Sequence, residues 1–368
     1  MLYLHIPFCR RKCTYCAFYS VASRRGRDAY VEALCAELRS RATRARVRTV
    51  YFGGGTPSQL TIGQLQTIID TLRASFDLSH LEEATLEANP DDLSTEYLSG
   101  LRDLHFFNRL SVGVQSFNDG ELHAINRAHS GAQALEALRG AADAGFDNIS
   151  VDLIMGLPGQ SLDSWNVNLG LVATLPAVRH LSCYELTVEP GSILERQLKM
   201  GSISLPDEEQ LMVQYDALQQ WCRQHDFEQY EVSNYCRPGW HSRHNSRYWN
   251  RTPYMGFGAA AHSFDGQRRR WNIADVECYT QGALKGNVLY DEEQIGPTEA
   301  FNEYLMTALR TPRGVERALV DVRYWDALLR SAQPFVREGL LVATDDSLRP
   351  TPSGLLHADG IAASLFRD

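Results

Sequence analysis

From residue 2 to about 187, short apolar or β-branched runs alternate with longer amphipathic ones along the chain. Period-2 or continuous apolar runs predict strands over Leu2 to Ile6, Val47 to Phe52, Ala84 to Ala88, Arg109 to Val114, Ile149 to Ile154 and His180 to Leu186. Between them, apolar spacing of three and four residues predicts helices over Asp28 to Arg41, Thr61 to Phe76, Ser94 to Leu104, Gly131 to Ala144 and Ser161 to Leu175. Several of these begin at a Ser, Thr or Asp suited to cap a helix N-terminus. Six strand–helix units in sequence imply a parallel sheet with right-handed crossovers, so the expected fold is α/β, a partial (β/α)6 barrel.

The pattern changes after Pro190. A helix over Pro206 to Gln224, a strand-like Tyr230 to Ser233, an aromatic and basic loop from Arg237 to Arg251, and Tyr254-Met255-Gly256-Phe257-Gly258 follow. From about Pro297 the chain reads as helices, with a small hairpin formed by Glu338 to Val342 and Leu348 to Thr351. The expected division is a barrel core over 1–190, an extension over 191–296 and a small, mainly helical C-terminal domain over 297–368.

Unusual residues fall at the strand ends. A C-x3-C-x2-C motif, Cys9, Cys13 and Cys16, follows the first strand, and Gly53-Gly54-Gly55-Thr56-Pro57 follows the second. Glu87 ends the third, Gln115 the fourth, and Asp152 and Gly156 the fifth. The C-terminal ends of barrel strands converge on one mouth, where such folds build their sites. Taken singly, the prolines are ordinary punctuation, Glu87 a surface carboxylate and Gln115 a cap partner. Their shared placement is what argues for one site.

Three thiolates can hold three corners of a four-iron, four-sulfur cluster and leave the fourth iron free to bind another ligand. Zinc is the competing reading, but structural zinc sites complete a tetrahedron with a further pair of Cys or His. The next cysteine, Cys35, sits in a helical pattern. Cys35, Cys183, Cys222, Cys236 and Cys278 have no paired spacing and are expected to be reduced core residues rather than a disulfide framework.

Composition narrows the partners. Over 368 residues the net charge is -9, which argues against nucleic acid as the main partner. Between Arg24 and Arg48, eight arginines oppose three carboxylates. This run is either a solvated face or a dock for an acidic electron donor. The N-terminal run lacks a signal-peptide pattern and no apolar run approaches a membrane span, so a cytoplasmic protein is expected.

The cysteine motif after a first strand and the glycine turn after a second resemble the radical S-adenosylmethionine superfamily. Tyr3 to Cys9, Gly53 to Pro57, Leu86 to Pro90, Val114 to Phe117, Ile125 to Arg127 and Val151 to Gly159 are each similar, in order, to blocks of its coproporphyrinogen dehydrogenase-like branch. The resemblance implies a 4Fe-4S cluster on Cys9, Cys13 and Cys16. It also implies S-adenosylmethionine held by Tyr3, Tyr15, Gly54, Gly55, Thr56, Glu87, Gln115, Arg127 and Asp152, with Glu87 on the ribose; Thr187 and His262 align more loosely. In that family an electron from the reduced cluster cleaves the cofactor to a 5'-deoxyadenosyl radical.

Two features choose within the branch. Phe18 stands where the decarboxylating dehydrogenase has a fourth cysteine, and that enzyme's N-terminal arm has no counterpart here. His244-Asn245-Ser246-Arg247-Tyr248-Trp249 resembles the H-N-x-x-Y-W motif of the HemW-type haem chaperones. On residue chemistry alone, His244 beside Arg243, Arg247 and Arg251 is either a haem ligand with cations for the propionates or a hydrogen-bonded turn histidine. With the resemblance, the expected function is haem binding at His244, His241 ranking second, and delivery to haem-requiring respiratory proteins. The expected partners are a flavodoxin or ferredoxin-like electron donor, a possible second copy in a homodimer, and membrane targets approached transiently. The alternatives are oxygen-independent oxidative decarboxylation of coproporphyrinogen III and a methyltransferase or haem-opening relative.

Overall fold

The structure is a computed structural model describing residues 1–23 and 25–367. Arg24 of the basic run and the terminal Asp368 lie outside the described residues. Six parallel strands form the centre of one sheet: β1 (Leu2–Ile6), β2 (Thr49–Gly54), β3 (Glu83–Ala88), β4 (Arg109–Gln115), β5 (Ile149–Met155) and β6 (Val178–Glu185). They lie side by side in chain order. Both edges are extended by later segments. Strand β7 (Asn234–Cys236) adds antiparallel to β6, and β8 (Met255–Phe257) adds parallel to β1. The sheet curves without closing, a partial barrel as the alternation of elements predicts.

Helices return the chain between strands: α1 (Arg27–Ser40), α2 (Ile62–Ser75), α3 (Thr95–Asp103), α4 (Gly131–Asp143) and α5 (Leu162–Ala173). Thr61, Ser94, Ser130 and Ser161 each accept a backbone N–H of the first turn. Thr61 with Gln64 and Ser130 with Gln133 complete reciprocal capping boxes. The helices bury the outer face of the sheet, where Leu4, Ile6, Val50, Phe52, Leu86, Val112 and Val151 are at most 0 % exposed. The alternate positions, Tyr3, Tyr51, Glu87, Ser111, Asp152 and Ser182, face the barrel interior, and they are polar.

One continuous apolar core runs from Leu2 to Ala283, taking in Leu218 and Trp221 of α6 (Glu208–Gln224) and Phe257 of β8. A second core is built entirely within residues 301–365, around Leu305, Trp325, Leu328 and Leu348. Its hairpin pairs Leu341–Ala343 with Ser347–Pro350, and Val315–Glu316 adds a third strand.

Three expectations change. Tyr230 to Ser233 is a turn between Glu228–Gln229 and β7, because Glu231 folds back to accept from the Ser233 amide and the Asn234 side chain. The basic loop from Arg237 contains a helix, α7 (Arg243–Trp249), started by the Ser242 hydroxyl accepting from Asn245 N at 3.2 Å. Cys278 is exposed, whereas Cys35, Cys183, Cys222 and Cys236 are buried. Among the described residues no helix is long and apolar enough to cross a membrane.

The return of β8 to β1 depends on a buried carboxylate. Glu37 of α1, 1 % exposed, accepts from Gly258 N, Asn272 Nδ2 and Tyr279 Oη and pairs with Arg41 at 2.9 Å. Arg41 in turn donates to Gly256 O and Ser263 Oγ, so part of the basic run is structural. Removing one member of such a network strands buried donors. Glu37→Ala is expected to cost roughly 3–5 kcal/mol, read as a lower urea midpoint at unchanged slope.

Candidate functional site

A cavity of about 480 Å³ opens at the C-terminal ends of the six central strands. Cys9, Cys13 and Cys16 line one side of it. Their loop is tied back to β1: Cys9 N donates to Val21 O at 3.0 Å, Val21 N to Pro7 O at 2.7 Å, and the His5 ring meets Tyr19 O at 2.9 Å. Two of the sulfurs have donors on them. Thr56 Oγ1 lies 3.4 Å from Cys9 Sγ and Arg127 Nη1 lies 3.5 Å from Cys13 Sγ. Burial raises the Cys9 and Cys16 thiols, while Thr56, Ser20 and Arg127 oppose that rise at Cys9. A bound metal centre removes those protons outright.

Among the described residues no group of three His, Cys, Asp or Glu is arranged around a single metal ion. A cluster spreads three thiolates over three irons, whereas zinc gathers its ligands on one centre. Three thiols on one cavity wall, two with hydrogen-bond donors on sulfur, and the cations Arg11 and Lys12 beside them suit an anionic iron–sulfur group.

The carboxyls of Glu87 and Asp152 line the same cavity. Glu87 accepts from Tyr51 Oη at 2.7 Å and from Gly54 N at 3.1 Å. Burial pushes its carboxyl up to about 7, with the nearby Asp152 charge adding to the rise and both hydrogen bonds opposing it. Asp152 lies mid-strand in β5 rather than at its end, within 3.3 Å of Ser111 Oγ. Burial pushes it up to about 6, against Ser182, Arg109 and Ser111. Two carboxyls with lone pairs to spare beyond these bonds suit sugar hydroxyls and an ammonium group.

Arg127 fastens the floor. Its Nη2 donates to Asn89 Oδ1 at 2.9 Å and to Gly113 O, and Asn89 Nδ2 donates to Thr56 Oγ1 at 3.4 Å. Gln115 ends β4 in the left-handed region, φ 68°, at an irregularity in the β4–β5 register, and lines the cavity. Tyr15 and Thr187 line it as well, and burial raises the Tyr15 hydroxyl.

The glycine run is required by packing as much as by any ligand. Gly54 has φ +108°, and a Cβ there would sit 2.5 Å from the His5 ring; one on Gly55 would sit 2.8 Å from Ile6 O.

Tyr3 and His244 do not line this cavity. Tyr3 is under the cavity floor, its hydroxyl 3.1 Å from His5 Nδ1 and its ring stacked on Tyr51 at 6.2 Å. His244, 1 % exposed, is inside the barrel's opposite end. Its Nδ1 meets Thr49 Oγ1 at 3.0 Å, its Nε2 meets Tyr248 Oη at 3.2 Å, and its backbone N donates to Glu83 at 2.9 Å. Burial, with the N-terminal ammonium and Arg247 near it, lowers its pKa to about 3. His241 packs edge-on to Tyr230, and His262 is exposed, stacked on Trp271. Sequence reasoning passed over Asn89, Ser111 and Tyr51. For Tyr51 and Ser111 the signal was a polar side chain at an alternate strand position, whereas Asn89 lies just past the end of β3.

The Radical SAM superfamily model matches residues 3–169. The heme chaperone HemW of Bacillus subtilis is 35% identical over 365 residues, 96% of each chain. That of Mycobacterium tuberculosis is also 35% identical, covering 99% of this chain and 94% of the relative. The chain belongs to the HemW family of radical S-adenosylmethionine proteins. The match reaches beyond bacteria: the mouse mitochondrial radical S-adenosyl methionine domain-containing protein 1 is 31% identical over 99% of this chain and 87% of its own. The coproporphyrinogen III oxidase HemN of Escherichia coli superposes with a TM-score of 0.85 over 99% of this chain and 89% of that one, at 24% identity, and so shares the fold. Membership of the superfamily implies a 4Fe-4S cluster and S-adenosylmethionine, and the cavity's donors suit both.

A carboxyl whose pKa rises from 4.5 to about 7 on folding binds its proton more tightly in the folded chain, so it costs stability as pH rises through that window. In cluster-free protein, Glu87→Gln is therefore expected to gain Tm relative to the parent between pH 5 and pH 8. An equal Tm difference at both pH values would contradict the buried carboxylate.

Proposed function

We propose that this protein binds haem and hands it to haem-requiring electron-transport proteins, carrying a 4Fe-4S cluster on Cys9, Cys13 and Cys16 and S-adenosylmethionine in the cavity. The observation that carries the reading is identity of about 35% across almost the whole chain to relatives described as heme chaperones. Identity spread over the full length argues for shared function more strongly than a shared fold does, and the fold alone is what links the chain to coproporphyrinogen III oxidase.

The cluster with S-adenosylmethionine bound supplies one-electron cleavage of a sulfonium–carbon bond. The protein's own residues set the conditions for it. Thr56 and Arg127 place donors on the thiolates and so favour their charged form. Glu87 and Asp152 offer acceptors to ribose hydroxyls and ammonium, preorganised by Tyr51, Gly54 and Ser111. Arg11 and Lys12 at the mouth, with Phe18 exposed beside them, suit the approach of an acidic reduced donor of flavodoxin or ferredoxin type.

His244 is the haem ligand in this reading, and α7 is its carrier. Ligation requires Nε2 to leave Tyr248, so haem binds a conformer in which α7 has turned outward. Arg243 and Arg247, both now paired with Glu82, are the cations nearest to accept propionates.

Anaerobic reconstitution tests the cluster: Cys13→Ala is expected to lose the iron–sulfur absorbance and bound sulfide, and full retention would sink the cluster assignment. Titration with hemin tests the ligand. His244→Ala is expected to weaken binding at least about tenfold or alter the Soret band, the loss of roughly one coordinate bond's advantage over nonspecific contact; an unchanged spectrum and affinity would shift the assignment to His241.

A further inference from the structure

We propose that Tyr51 couples the cavity to His244, so that S-adenosylmethionine and haem bind antagonistically. The inference rests on His244 being the haem ligand.

Strands β2 and β3 have a cavity end and an α7 end. At the α7 end, Thr49 and Glu83 are register partners. Thr49 Oγ1 holds His244 Nδ1 at 3.0 Å, and Glu83 accepts the backbone amides of Arg243 and His244, each at 2.9 Å. At the cavity end, Gly54 N and Tyr51 Oη hold the two oxygens of Glu87. Tyr51 spans the distance between. Its ring lies 4.9 Å from the His244 ring at 30°, and its hydroxyl reaches Glu87 at 2.7 Å. Tyr3 covers another side of the Tyr51 ring, at 6.2 Å and 24°.

The coupling requires two positions of α7, the inward one of the structure and an outward one that haem ligation would impose. With His244 inward, both ring nitrogens are paired and Tyr51 is packed between His244 and Tyr3. With His244 outward on haem, Thr49 and Tyr248 lose their partner and Tyr51 loses one of its ring neighbours. The hydroxyl is then free to leave Glu87, which takes a preorganised donor away from the carboxylate that would meet the nucleoside sugar. In the other direction, sugar hydroxyls on Glu87 fix that carboxylate, hold Tyr51 against it and keep the Tyr51–His244 packing intact. Each ligand therefore favours the α7 position that the other opposes, and linkage requires the two effects to be equal. A shared two-state element biased from both ends is the physical basis for coupling, beyond the proximity of the two sites.

The test uses full-length reconstituted protein without reductant, measuring the Kd of S-adenosylmethionine with and without hemin, and of hemin with and without S-adenosylmethionine. The expected result is the same ratio in both directions, a weakening of about fivefold or more. Tyr51→Phe, which keeps the ring and removes the hydroxyl, should bring the ratio close to one while hemin still binds. Thr49→Val, which unpairs His244 Nδ1, should move both affinities in opposite directions, tightening hemin and weakening S-adenosylmethionine. A ratio of one in the parent protein, or an undiminished ratio in Tyr51→Phe, overturns the coupling while leaving the haem ligand standing. Hemin affinity unchanged in His244→Ala overturns the ligand assignment and the coupling with it.

Discussion

The cavity depends on one guanidinium. Arg127 reaches the cluster loop through Cys13 Sγ, the end of β3 through Asn89 Oδ1 and β4 through Gly113 O. Its neighbour Asn126, at φ 60°, donates from its side chain to Lys12 O at 2.9 Å, and Ile125 O accepts from Thr14 N. Three consecutive residues thus fasten the cysteine loop to the barrel floor. The fork of Arg is what allows three acceptors on different elements to be met at once, which a lysine's compact ammonium would not reproduce with the same geometry. The same charge acts on both kinds of acid in the cavity, pulling the Cys9 thiol and the Asp152 carboxyl down against burial.

The barrel interior is divided along its axis. Polar positions on β2 to β6 carry the cavity at one end, and Thr49, Glu83 and Arg109 carry the base on which α7 rests at the other. Arg109 is 2 % exposed, with Nε 4.0 Å from Glu83. It lies near enough to Glu87 and Asp152 for its charge to pull both carboxyls down against burial. Such an interior is costly to fold, since each polar group needs a partner. On the proposed function, that cost would serve the cavity at one end and His244 at the other.

Much of this frame was legible in the chain. Alternation of apolar runs and amphipathic stretches set the six strands to within two residues of their bounds at every end, and Ser and Thr caps marked where several helices start. The strand-end glycines, Glu87 and Gln115 pointed to one mouth because parallel strands share a direction. What could not be read was pairing between distant segments. Nothing in Met255–Phe257 says that it adds beside Leu2–Ile6, since that contact joins the chain's start to a segment past residue 250. The helix carrying His244 was hidden for a different reason: Arg-His-Asn-Ser-Arg-Tyr-Trp lacks an apolar stripe, and its visible signal was the Ser242 cap. The bridging roles of Asn89 and Tyr51 exist through neighbours on other strands. Tyr3, which the resemblance implies as a cofactor contact, packs its ring on Tyr51 in the structure.

On the proposed function, haem passes through this protein. The direct measurement is to load the reconstituted, full-length protein with haem and mix it with haem-depleted respiratory membranes. Coproporphyrinogen III and S-adenosylmethionine would be present under anaerobic reducing conditions, with haem spectra of the membranes and porphyrin products both recorded. The expected result is that haem leaves the protein and appears in the membrane acceptors, with coproporphyrinogen unchanged. Retained haem together with decarboxylated porphyrin formed over many turnovers would contradict it and make the chain an enzyme of haem synthesis.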